Sequence, residues 1–152
     1  MTDEIRKAYS RASDSAAATQ QLEQLIKQQS QQHHPVILAY KAVVEALKAK
    51  FVWLPFQKMS HLNTMRNLFY KAVEGEENNI EIRFLRFSIQ ANLPAILMQS
   101  PNLKEDKSVI IENIDSSTLS IPFKEAVVDF LVNSGECTEK EIEILRNKLI
   151  SK

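Results

Sequence analysis

At 152 residues, 44% of them apolar, the chain has the size of one ordinary domain and can build a core without disulfide or metal. Lys and Arg number 19 and so do Asp and Glu, giving a formal net charge of zero and no overall field to draw nucleic acid or an anionic membrane. Two glycines and five prolines are too few for the many tight turns of a sheet-rich fold, so long helices are expected.

Residues of about 3–12 read as a short polar helix with Ile5, Ala8, Tyr9 and Ala12 on one side. Asp14 is the expected cap of a second helix reaching Ser30, with Ala18, Leu22, Leu25 and Ile26 as its apolar line. The polar run from Gln28 to His34 breaks it, and Pro35 opens the next helix at its favoured first position. There Ile37, Tyr40, Val44, Leu47 and Phe51 repeat at helical spacing, while Lys41, Glu45, Lys48 and Lys50 face away.

The linker Phe51–Phe56, with Trp53 and Pro55, is expected as a buried plug between two core helices, with a partner or membrane anchor as the alternative. A helix of about 56–74 follows, with Leu62, Met65, Phe69 and Ala72 inward and Gly75 as a left-handed C-cap. Ile80 to Phe84 alternates like a strand. The longer pattern Ile82, Leu85, Ile89, Leu93 is helical, and Phe84, Phe87 and Ala91 add a second apolar line, so a central helix is expected.

After Pro94 an irregular connector, Ala95 to Met98, is expected. Asn102, with Glu105 three residues later, is the expected N-cap of a helix carrying Leu103, Lys107, Ile110 and Ile114. Pro122 sits in the first turn of the next helix, whose stripe is Phe123, Ala126, Val127, Phe130 and Leu131, and Gly135 ends it. Thr138 and Glu141 form a capping box, Cys137 and Ile142 a staple, and Leu145 and Leu149 continue inward. The expected fold is all-α throughout, an array of about seven or eight helices in antiparallel hairpins. It is read as one domain over 1–152, with N-terminal helices at about 1–34, a core at 35–93 and C-terminal helices at 94–152.

The run Phe69-Tyr-Lys-Ala72, then Gly75-Glu-Glu-Asn-Asn79, resembles the hairpin junction of tetratricopeptide-type arrays, with Phe69 and Tyr40 filling between helices and Ala72 allowing close approach. The resemblance implies a right-handed superhelical bundle and a protein-binding role. It departs from the pattern: Glu77 replaces the usual turn proline, the Trp53–Pro55 linker is long, and no second copy appears at roughly 34 residues. The stretch 35–115, with Ala-Leu-Lys-Ala-Lys (46–50), Glu-Ile-Arg-Phe-Leu-Arg (81–86) and Glu-Asp-Lys (105–107), also resembles a group of short bacterial proteins with no assigned chemistry. That implies a bacterial source.

Chemistry is thinly represented. His33-His34 lacks the further ligands a metal site needs and reads as a solvated pair, while His61 on an amphipathic helix reads as a boundary histidine. Cys137, alone in the chain, forms no internal disulfide and has Glu136 and Glu139 opposing ionisation. Phosphate loops and nucleophile elbows are missing. No catalytic residue, metal or cofactor is assigned. No membrane insertion is expected, because no run nears the roughly 18 apolar residues of a span. The opening Thr2-Asp3-Glu4 carries no legible secretion signal, so the chain reads as cytoplasmic as it stands, or exported if a leader has been removed.

The one polar constellation is Asn79, Arg83, Arg86 and Gln90, a stripe along the central helix. As a groove lining it would grip a carboxylate or acidic peptide through the arginine forks, with Lys41 and Lys48 as rim charges. As structure it would pair with internal carboxylates such as Glu74, Glu76 or Glu105. Exposure and convergence on a concavity distinguish the two. The sequence therefore reads as a non-enzymatic protein- or peptide-interaction module, with a homo-oligomeric scaffold second and an inter-helix ligand or enzyme pocket third.

Overall fold

A computed structural model of the protein describes residues 3–94 and 102–150. Among these residues there are eight α-helices, one short 3-10 turn and no strand. The helices are α1 (Asp3–Arg11), α2 (Ala16–Lys27), α3 (Pro35–Phe51), α4 (Pro55–Gly75), α5 (Ile80–Asn92), α6 (Leu103–Asn113), α7 (Ile121–Asn133) and α8 (Glu139–Ile150). The all-α expectation holds, including the strand-like Ile80 to Phe84, which opens α5. The expected connector Ala95–Met98 lies outside the described residues. The chain gathers into two compact units, 1–77 and 78–152, dividing within the Glu76–Asn79 turn.

In the first unit α1, α2, α3 and α4 pack in succession. The buried line predicted for α3 is present in Ile37, Tyr40, Val44 and Leu47, and that of α4 in Leu62, Met65, Phe69 and Ala72. Tyr9 of α1 meets the Tyr40 ring edge-on at 6.1 Å between centroids. The cap of α2 is Ser15, whose side chain accepts from Ala18 N at 3.1 Å, and not the expected Asp14, which is absorbed in the 3-10 turn (Ala12–Asp14). Helices α3 and α4 form an antiparallel hairpin. His61 Nδ1 of α4 lies 2.6 Å from Glu45 Oε2 of α3, and Lys58 Nζ donates to the Ala49 carbonyl at 3.1 Å.

Gly75 was expected to take a left-handed conformation, but positive φ among the described residues is confined to Gly135, at 79°. Gly75 is instead the last residue of α4, and a Cβ there would stand 2.6 Å from Cγ of Pro35 at the start of α3. Its reason is close approach across the open end of the hairpin, a steric one rather than a dihedral one.

In the second unit α5 packs on α6, and α8 on both α6 and α7. Phe84 and Phe87 of α5 meet Phe123 and Phe130 of α7 in three edge-to-face pairs. The Thr138–Glu141 capping box forms in both directions, with Thr138 N donating to Glu141 Oε2 at 2.8 Å and Glu141 N to Thr138 Oγ1 at 3.2 Å. Lys148 Nζ then closes the far end of α6 by donating to the Ile111 and Glu112 carbonyls. Asn102 does not cap α6 as expected: its side chain makes no cap bond, and its Oδ1 accepts instead from Gln90 Nε2 of α5 at 3.0 Å.

In an open helix, Gly→Ala would gain roughly 1 kcal/mol. At Gly75 the added methyl collides with a rigid proline ring, an overpacking that costs about 1–3 kcal/mol. Gly75→Ala is expected to lower the urea midpoint, and a rise would contradict the close approach.

Candidate functional site

The polar stripe of α5 forms, but it faces inward. Arg83 and Arg86 are both buried, one turn apart, and converge on Asp106 in the first turn of α6. Asp106 is completely buried. Arg86 Nε donates to Asp106 Oδ2 at 2.7 Å and its Nη2 to Oδ1 at 2.6 Å, a two-pronged fork, while Arg83 Nη1 adds a third bond to Oδ1 at 2.9 Å. Arg83 also donates to Glu105 Oε1 at 3.0 Å, at the solvent side of the cluster. Two cations and two anions thus face each other across α5 and α6.

The titration shifts follow from this geometry. Burial pushes the Asp106 carboxyl above its ordinary range, against the pull of the Arg86 and Arg83 hydrogen bonds. Glu105, half exposed, is held below the carboxylate range chiefly by its bond from Arg83.

The other expected site residues are also committed internally. Asn79 caps α5, its Oδ1 accepting from Ile82 N at 3.2 Å. Gln90 is buried against Asn102, and its Oε1 has no partner among the described residues. Lys41 and Lys48 belong to the first unit, where Lys41 donates to the Gln32 carbonyl at 2.9 Å and Lys48 to Glu23 at 2.8 Å. Arg83 and Arg86 are therefore brought together, but not on an open concavity, and of the lysines expected as rim charges Lys48 ties α3 to α2 while Lys41 holds the loop before α3. The sequence reading missed Asp106. Its signal was present: two arginines at +3 spacing on one helix and an adjacent Glu-Asp pair opening another.

Two of the histidines have structural partners too, His61 on Glu45 and His34 within its own turn. His34 caps α3, its Nδ1 accepting from Val36 N at 3.3 Å, and its Nε2 lies 3.7 Å from Glu76. Burial raises the Cys137 thiol, disfavouring the thiolate. Among the described residues no three His, Cys, Asp or Glu side chains gather as metal ligands. A groove of about 430 Å³ between α5 and α7 is lined by Phe130, Asp129, Asn92 and Asn133 among others. Its amides turn back on their own helices, Asn92 to the Ser88 carbonyl and Asn133 to that of Asp129.

Large apolar side chains exposed among the described residues include Tyr70, Ile121 and Ile150, each on its own, and a group of four at the tip of the α3–α4 hairpin. Trp53 is 94% exposed, Leu54 49%, Phe56 70% and Met59 39%. The expected buried plug is thus corrected. The turn Val52–Leu54 is too short to fold back over the helix ends, and Pro55 starts α4 at once, so the Trp53 side chain projects beyond the hairpin. No family model matches the chain, and no curated protein or solved structure shows significant similarity to it.

Replacing both Arg83 and Arg86 by Gln strands a fully buried carboxylate, and should cost about 3–5 kcal/mol in urea unfolding followed by circular dichroism. A loss under about 1 kcal/mol would place the pair at the surface instead. Acid adds an independent check. Because the folded-state pKa of Glu105 is lowered, its contribution is fully present above the ordinary carboxylate range and is lost as pH falls through the lowered value. The upward shift of Asp106 acts with the opposite sign, and Glu105→Gln leaves that residue in place. The variant should therefore lose less stability than the parent on acidification, and an unchanged acid limb would contradict the Arg83–Glu105 bond.

Proposed function

We propose that the protein is a non-enzymatic interaction module whose contact element is the exposed apolar tip of the α3–α4 hairpin. One observation carries the reading: Trp53, Leu54, Phe56 and Met59 lie exposed within seven residues of chain. Single exposed apolar residues are ordinary, but a contiguous cluster of four, two of them aromatic, is the composition of a binding anchor. The peptide groove beside α5 finds no such support, since its arginines are held by Asp106.

A tetratricopeptide-like architecture and a bacterial source belong to the same proposal. The first is supported by the antiparallel α3–α4 hairpin, by burial of Tyr40, Phe69 and Ala72, and by the Gly75–Pro35 approach. The second rests on the sequence resemblance alone. Among the described residues no helix is long and apolar enough to cross a membrane.

The test is a photo-crosslinking residue at position 54 in living cells, compared with one at exposed position 140. A discrete adduct from 54, to protein or to lipid, absent from 140 and lost on Trp53→Ala, is expected. Trp53→Ala itself should leave stability within about 0.5 kcal/mol, as for other exposed positions. Equal or absent adducts from both positions would overturn the reading. A dimer of the chain as the adduct would replace it with the scaffold reading.

A further inference from the structure

We infer that the α3–α4 tip docks on an anionic phospholipid surface, with Trp53, Leu54 and Phe56 at headgroup depth and Lys50 and Lys58 beside them. This rests on the interaction-module reading and names its partner.

The zero net charge of the whole chain conceals an uneven distribution. Between Glu45 and Glu74 no acidic residue occurs, while Lys48, Lys50, Lys58, Arg66 and Lys71 all do. Nearest the tip, Lys50 Nζ donates to the Ser13 carbonyl at 2.8 Å and Lys58 Nζ to that of Ala49 at 3.1 Å. Both bonds are to neutral carbonyls, and neither lysine forms an ion pair among the described residues. Lys50 also lies 5.3 Å over the Phe51 ring, its stem along apolar surface and its charge at the edge of the tip. Asp14 adjoins Ser13 and forms no ion pair with Lys50 among the described residues. Lys48, by contrast, is paired with Glu23 and Glu45.

Three features favour lipid over a protein groove or a second copy. The apolar side chains project from the end of a hairpin, and a bilayer interface receives a projection without needing a matching cavity. Tryptophan with a lysine fringe has the two affinities that peripheral binding combines, burial of apolar rings and attraction to anionic headgroups. Two copies meeting tip to tip would bring together four lysines that form no ion pair among the described residues, which like-charge repulsion opposes.

Trp53 is the sole tryptophan, so its emission reports the tip directly. The full chain is titrated with vesicles of equimolar phosphatidylglycerol and phosphatidylcholine, and separately with phosphatidylcholine alone. A blue shift with the anionic vesicles only, reversed by salt, is expected. Lys50→Gln with Lys58→Gln should weaken partition about tenfold to thirtyfold, from the attraction each lysine near an anionic surface supplies. Because Lys58 also closes α3, its melting temperature is read in parallel, and salt reversal in the parent protein tests the charge requirement without any substitution. A Phe56→Ser variant, followed by sedimentation with the vesicles, should bind more weakly while keeping the parent fold. No shift with either vesicle, or an equal shift with both, would overturn the inference. A discrete protein adduct at position 54 together with no vesicle binding would overturn it as well, while leaving the interaction-module reading standing.

Discussion

Asp106 is the constraint around which the α5–α6 pair is arranged. A fully buried carboxylate is costly unless its charge is met, and three hydrogen bonds from two guanidiniums meet it. Those bonds fix more than an energy. The fork of Arg86 sets the direction from which α6 approaches α5, and Arg83, one turn earlier, sets its rotation, because only one face of α6 offers Glu105 and Asp106 together. The edge-to-face contacts of Phe84 and Phe87 with the phenylalanines of α7 occupy another side of the same helix. Helix α5 is therefore buried almost all round, with its polar face as fully used as its apolar one.

The first unit solves its charges differently. Lysines there reach backbone carbonyls or carboxylates at the rim: Lys41 to Gln32, Lys48 to Glu23 and Glu45, Lys58 to Ala49. The α3–α4 hairpin is closed sterically at one end, where Gly75 admits the Pro35 ring, and left open to water at the other, where the turn holds Trp53. Arg83 and Arg86 lie inside one unit, and Trp53 and Phe56 lie outside the other. That inversion of the usual placement moves the proposed contact element from the polar stripe of α5 to the hairpin tip.

Helical periodicity was legible because it depends on many residues at once. Ile82, Leu85 and the two phenylalanines of α5 outweigh the five-residue alternation at Ile80, and the α4 line from Leu62 to Ala72 is buried as read. The Thr138–Glu141 box and Gly135 were legible because each is local chemistry with a fixed spacing. What failed were inferences about a third dimension. A glycine after a helix signals a left-handed cap or a close neighbour, and only the fold brings Pro35 to Gly75. An aromatic linker between core helices can be covered or can project, depending on whether the turn is long enough to fold back. Arginines on a helix face are solvated or buried according to whether a carboxylate meets them, and Asp106 lies 20 residues from Arg86.

The account stands on charge being inside and the tryptophan outside, and collisional quenching of Trp53 fluorescence tests the exposed half of that claim most directly. Iodide should quench nearly as well as it quenches free indole, and more strongly than caesium does, because Lys50 and Lys58 concentrate the anion and repel the cation near the ring. A tryptophan protected from both ions would mean that the linker is packed inside after all, and the hairpin tip would then offer no contact element.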